Sequence, residues 1–203
     1  MYRFIVLLVL SFVSLASQAS ATQDLHRFFN QVQRYSARFD QVTLDEAMNQ
    51  IQESSGNLWI ERPGKFRWSY SVPYEQHIVG NGKQVWVYDV ELKQAAVRRM
   101  EGALGATPAI LLSGKGALEG IFVIKDLGHQ GALDWVQMTP KKNDGGFENI
   151  RIGFEKSKIR TLEMIDGFGQ TTRVTLRDAK ENTQISADKF NFKPPAGVDV
   201  ITE

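Results

Sequence analysis

The 203-residue sequence predicts a mainly-β protein: a few helices lie against one large antiparallel sheet, curved strongly enough to approach a barrel. Three observations lead there. Alternating apolar and polar residues recur in many short runs separated by turn residues, the period-two pattern of half-buried strands. Asn81-Gly82 stands between two apolar runs, a strong signal for a two-residue hairpin. The run Val85-Trp86-Val87-Tyr88 is apolar on both faces, so it needs cover on both sides.

The first segment precedes the folded part. Met1-Tyr2-Arg3 carries one positive charge, an apolar run follows from Phe4 to Ala16, and Ala19-Ser20-Ala21 has the small-residue form of a cleavage site. The run is short for a hydrocarbon core of ~30 Å. This order describes a secretory signal peptide over residues 1–21, cleaved after Ala21, ahead of a single domain over residues 22–203. Arg3 is the leader's only charge, so the remaining lysines and arginines equal the 23 aspartates and glutamates. A neutral chain without a polybasic block argues against nucleic acid and against binding anionic membranes by charge. No later segment is long and apolar enough for stable membrane insertion. There is no cysteine, hence no disulfide framework and no thiolate chemistry. Leu15-Ala16-Ser17-Gln18 stands where a lipoprotein signal carries its cysteine, so the mature chain is expected to lack a lipid anchor.

The elements follow in order. Asp24 is a candidate cap for a helix with its apolar stripe at Leu25, Phe28, Phe29, Val32 and Tyr35. Ala37, Phe39 and Gln41 begin an alternating strand, and the polar stretch 45–55 reads as a loop or a mobile strand extension. From Asn57 to Arg62, Leu58, Ile60 and Arg62 share one face; after the Pro63-Gly64 break, Phe66, Trp68 and Tyr70 do. Thr107-Pro108 starts a short helix through Ala109, Ile110, Leu111 and Leu112, apolar around most of its girth and stopped at Ser113-Gly114. It is a candidate cover for the sheet. Alternation then returns over 121–125, 133–138, 150–155 and 172–177, with turns at Asn143-Asp144-Gly145-Gly146 and Asp166-Gly167.

Catalytic and metal-binding signals are missing. His26, His77 and His129 are far apart and none belongs to a ligand-spaced pair. Ser113-Gly114-Lys115-Gly116 lacks the earlier glycine and the following serine or threonine of a phosphate loop. No G-x-S-x-G elbow occurs. No cofactor and no enzyme activity are expected.

The stretch GNLWIERPGKFRWSYSVPYEQHIVGNGKQVWVYDVELKQ, Gly56 to Gln94, resembles the outer-membrane lipoprotein carrier family, LolA. The resemblance extends to Phe39-x-Gln41, Arg62-Pro63 before Phe66-x-Trp68, the Thr107-Pro108 helix start and the closing KFNFKPPAGVDVI. It implies an incomplete, strongly curved antiparallel β-barrel closed by a lid of short helices. It also implies a periplasmic, monomeric carrier that accepts acylated lipoproteins from an inner-membrane ABC transporter (LolCDE) and delivers them to an outer-membrane receptor (LolB). On that reading Phe29, Val32, Phe39, Leu58, Ile60, Phe66, Trp68 and Tyr70 line the acyl-chain cavity, and Pro108, Ile110, Leu111 and Leu112 belong to the lid helix. Arg62 would latch the lid through hydrogen bonds to its backbone.

The physics agrees. At ~0.8 kcal/mol per buried methylene, a chain of about fourteen carbons represents roughly 10 kcal/mol that a carrier must largely match and still release. Two other readings fit the residues: a periplasmic module for another apolar ligand or a protein partner, and an enzyme acting on lipids in the same cavity.

Overall fold

Among the described residues twelve strands form one curled sheet in the order β12-β6-β5-β4-β3-β2-β1-β11-β10-β9-β8-β7. This is a computed structural model, and it describes residues 20–100, 108–114, 118–142 and 146–202. The strands are β1 (Arg34–Leu44), β2 (Gln50–Glu61), β3 (Lys65–Val72), β4 (Gln76–Asn81), β5 (Gln84–Asp89), β6 (Gln94–Arg99), β7 (Phe122–Gln130), β8 (Leu133–Pro140), β9 (Phe147–Glu155), β10 (Lys158–Asp166), β11 (Thr171–Glu181) and β12 (Asp199–Thr202). Every pairing is antiparallel except β12 on β6. The pairing of β1 with β11 joins an N-terminal meander to a C-terminal one, and β7 and β12 remain as free edges. The barrel is therefore incomplete.

The register gives this half-barrel two different ends. At one end lie the β1–β2, β3–β4, β5–β6, β8–β9 and β10–β11 turns; at the other lie the β2–β3, β4–β5, β7–β8 and β9–β10 turns. The concave face carries Tyr35, Ala37, Phe39, Leu58, Ile60, Phe66, Trp68, Ile78 and Val85, continued across Leu176, Val174, Leu162, Ile152, Ile150, Val136 and Met138. Gly80 is required here: a Cβ would stand 2.3 Å from the Phe66 ring, which lies against the Gly80 backbone.

Among the described residues two α-helices cover the concave face. Helix α1 (Ala21–Gln31) packs on β7, β8 and β9, and α2 (Pro108–Ser113) packs on β2 and β3. Helix α1 starts earlier than Asp24 predicted, because Ser20 and Gln23 form a capping box that satisfies the first backbone donors. Asp24 is instead buried within the first turn, and Tyr35 lies on β1 while still packing edge-on against Phe28. All six residues of α2 are buried. Its expected cap Thr107, the 143–145 part of the expected turn and the leader up to residue 19 lie outside the described residues.

The stretch 45–55 is less loop than expected. Gln50 to Ser55 extend β2 and pair with β1, leaving only 45–49 as a turn, in which Asp45 accepts from Asn49. The polar composition reflects exposure at the rim of the sheet, which a strand tolerates. The double-sided apolar run on β5 is covered as its pattern required. Val85 joins the concave core, while Trp86 and Tyr88 on the convex side pack against Phe192 at ring separations of 5.4 and 5.3 Å. The C-terminal tail supplies that second cover. A 3₁₀ turn at Ala187–Phe190 packs on β3 and β4, and β12 then adds to β6.

Candidate functional site

Arg62 follows the last residue of β2 and turns its guanidinium inward under both helices. It is 6% exposed. Nη1 donates to the Leu112 carbonyl at 2.7 Å, and the guanidinium carbon stands 4.8 and 4.9 Å from the Phe28 and Phe29 ring centres. One side chain from a β-turn thereby touches α1 and α2 together. A six-residue helix cannot satisfy its last four carbonyls internally. Here each has a partner: Ser113 Oγ donates to Ile110 O, Gly114 N to Leu111 O, Arg62 Nη1 to Leu112 O and Gly64 N to Ser113 O. Gly64 makes the last bond from φ +71°, a left-handed conformation that favours glycine. The Pro63-Gly64 break is therefore the second half of the fastening, which the sequence reading took only as a strand end.

The balance of energies at Arg62 is close. A charge-assisted bond contributes about 1.5–3 kcal/mol and each cation–π contact about 0.5–2. Removing a guanidinium from water costs several kcal/mol. Among the described residues Nε and Nη2 have no hydrogen-bond partner, and none of the ion pairs includes Arg62. Burial pulls its pKa down to about 10. The contact fixes where α2 sits without binding it tightly.

Helix α1 is held at the same end. Arg27 reaches Glu181 on β11 at 2.9 and 3.1 Å and also donates to the Ser157 carbonyl in the β9–β10 turn. The hydrogen bond to Glu181 is the main reason its guanidinium titrates above the ordinary value. Asn182 donates to Gln31 O and accepts from Gln33 N, and Arg62 N donates to Gln33 O.

Of the residues expected to line a cavity, Phe29, Val32, Phe39, Leu58, Ile60, Phe66 and Trp68 are at most 3% exposed and belong to one closed core with Ile110, Leu111 and Leu112. Tyr70 packs at its edge, and burial raises its hydroxyl to about 12. The open apolar space is elsewhere. A cavity of about 440 Å³, within the range of small-ligand pockets, lies between α2 and the β8–β10 side, lined by Leu111, Ile121, Phe122, Phe147, Ile150 and Met164 with Lys141 and Lys142 at its polar margin. Among the expected residues only Leu111 reaches it. The C-terminal half supplies the rest, and its alternation read as plain strand.

A second pocket, of about 210 Å³, is polar and lies on the concave side of β1–β5 beside Tyr70. Both pockets open at the end away from Arg62. At that end, too, lie most of the exposed large apolar side chains among the described residues, including Met48, Ile51, Val72, Tyr74, Leu92 and Phe168, the last 86% exposed, whereas Val200 and Ile201 are exposed along edge strand β12.

On the convex face His77 contacts Ser69 Oγ at 3.0 Å and Glu75 at 3.3 Å. This outwardly resembles a nucleophile–base–acid line. The serine is buried and accepts from Arg67 Nε at 3.0 Å, so the contact is a structural one beside the tail. Among the described residues no group of histidine and acidic side chains could hold a metal ion.

The family model for the outer membrane lipoprotein carrier protein LolA matches residues 30–193. Curated relatives named outer-membrane lipoprotein carrier protein include one from Methylococcus capsulatus, 42% identical over 204 residues that cover 100% of this chain and 98% of the relative. Another, from Nitrosomonas europaea, is 42% identical over 206 residues and covers both chains fully. Among solved structures, an uncharacterised conserved protein from Thermus thermophilus shares the fold at TM-score 0.59 and 13% identity, over 90% of this chain and 99% of that one. A LolA superfamily protein from Nitrosomonas europaea matches at TM-score 0.50 and 9% identity, over 86% and 99%. With a family match across most of its length and relatives at this identity, the chain belongs to the outer-membrane lipoprotein carrier family, LolA.

Proposed function

We propose that this chain binds the acyl chains of lipoproteins beneath its two helices and carries them across the periplasm. The observation that supports this most is the pairing of an apolar cavity beside α2 with the fastening of that helix's last turn by Arg62 and Gly64. Lifting α2 would expose Leu58, Ile60, Phe66 and Trp68 as a continuous apolar floor next to the existing cavity. Part of the burial released from the lid then reappears against the acyl chains, which keeps loading and release close to balance.

An inner-membrane ABC transporter of the LolCDE type is the donor on this reading, and a receptor of the LolB type the acceptor. Both handovers need a surface beside the mouth. The apolar side chains exposed in separate turns at that rim, Tyr74, Leu92 and Phe168, provide candidate contact points. The leader is removed after Ala21, so the mature helix loses its Ser20 cap and begins at Thr22, whose backbone and hydroxyl reach Asp126 on β7. No helix among the described residues is long and apolar enough to cross a membrane. The chain acts as a monomeric carrier with no chemistry of its own.

Displacement of an environment-sensitive apolar dye tests this. A triacylated lipopeptide is expected to displace the dye from the mature protein, and the same peptide without acyl chains is not. Displacement by neither would show that the apolar space is closed core and would overturn the carrier reading.

A further inference from the structure

The polar pocket at the open end continues the same face of the same strands that form the apolar floor. On β2, Leu58 and Gly56 are followed toward that end by Ser54 and Gln52; on β3, Trp68 is followed by Tyr70; on β1, Phe39 is followed by Gln41. The floor thus changes from hydrocarbon to hydrogen-bonding groups where it meets the mouth. Gln41, Gln52, Ser54, Tyr70, Gln76 and Asp89 line the pocket. Ser54 is 3% exposed and its Oγ has no hydrogen-bond partner among the described residues. Tyr70 donates to Gln41 Oε1 at 3.3 Å, which leaves the amide nitrogen of Gln41 free to donate.

We propose that this pocket is the subsite for the polar junction of the cargo, the ester carbonyls and first peptide amides that join acyl chains to a lipidated cysteine. The inference rests on the carrier reading and names the part of the cargo that the apolar cavity cannot recognise. Carboxamides and hydroxyls offer donors to ester and amide carbonyls, and Asp89 accepts from peptide N–H groups. A buried hydroxyl without a partner is an unmet demand that such a carbonyl fills.

The pocket also discriminates. Among the described residues no lysine or arginine lines it, and its one carboxylate is Asp89. A phosphodiester would meet a carboxylate and no counter-charge, whereas a neutral ester–amide junction meets only hydrogen-bonding groups. Apolar volume alone cannot tell a lipoprotein from a membrane phospholipid with the same chains; this subsite can.

The test compares three probes on the mature protein: a triacylated lipopeptide, a lysophosphatidylglycerol of equal chain length and an apolar dye. The parent is expected to favour the lipopeptide over the lysophospholipid. Ser54→Ala should lower the ratio of lipopeptide to dye affinity by about five- to tenfold, the effect of one lost hydrogen bond. Asp89→Lys should bring lysophospholipid affinity up toward that of the lipopeptide, and thermal denaturation checks that both variants fold. Lipopeptide binding by the parent with ratios unchanged in both variants would overturn the subsite and leave the carrier standing. Absence of lipopeptide binding by the parent would overturn both.

Discussion

The two ends of the half-barrel are built from the same meander and differ in almost every other respect. At the fastened end, Arg62, Gly64, Arg27 and Asn182 tie both helices to turns and strand ends through directional polar bonds. At the open end the polar and apolar cavities emerge, and most of the exposed large apolar side chains lie at the same end. A sheet alone does not impose such an asymmetry, because strand ends alternate evenly between the two rims. It comes from where the chain places its short turns and its helix termini. On the proposed carrier reading, bonds at one end would set where a lid pivots, and apolar surface at the other what it opens toward.

Several substitutions can break this contrast. The largest effect is expected from Ile110→Glu, which puts a carboxylate into the closed core at a position only 3% exposed. Burying that charge costs on the order of 3–5 kcal/mol against the closed state. Lid closure and lipopeptide loading should both fail, as seen by dye fluorescence and calorimetry. At the fastened end, Gly64→Ala forces a side chain into φ +71° and should cost about 1–2 kcal/mol in chemical denaturation. Gly167→Ala in the β10–β11 turn of the open end has free space around the added carbon and should stay within about 0.5 kcal/mol. Equal losses at the two glycines would erase the distinction.

Arg62→Leu removes a bond and a desolvated charge together, so its effect on global stability should be small, within about 1 kcal/mol. Its effect on the lid should be clear in amide exchange of α2. The variant should load from a donor and release poorly to a receptor, because the closed state no longer competes with the cargo. Unchanged transfer would remove Arg62 from the fastening.

The smallest expected effect concerns the convex face. Burial, aided by Arg67, holds His77 below its ordinary value of 6.5. A base depressed in the folded state gives stability that is present above 6.5 and lost as pH falls below it, until the folded imidazole also protonates. The parent should therefore lose more stability than His77→Gln between pH 7 and pH 5, by about 1 kcal/mol or less. Equal losses would mean that the tail-side histidine is not tuned by its surroundings.

Much of this was legible in the sequence, for local reasons. Alternation in β1–β5 and β9–β11, the Asn81-Gly82 hairpin and the apolar helix at Ile110–Leu112 are periodic signals that survive into the fold. Arg62 stood out because it shares an apolar face with Leu58 and Ile60. What was not legible depends on long-range placement. Nothing in Asp199-Val200-Ile201-Thr202 marks a parallel strand on β6, which arises because the tail crosses the convex face first. The open cavity was missed because Ile150 and Met164 alternate like any half-buried strand, and only the position of α2 leaves space above them. The polar pocket was missed for a related reason. Gln41 read as part of an alternating strand and Ser54 as part of a polar loop or strand extension, and only the register sets them beside each other and near Gln76.

The most direct test of the account is covalent mapping of a lipopeptide that carries a photoreactive group midway along one acyl chain. After irradiation with the mature protein, cross-links are predicted at Leu111, Phe122, Ile150 and Met164 and on the concave side of β2 and β3. Cross-links confined to the convex face, or to the Pro63-Gly64 and Asn81-Gly82 turns at the fastened end, would contradict it.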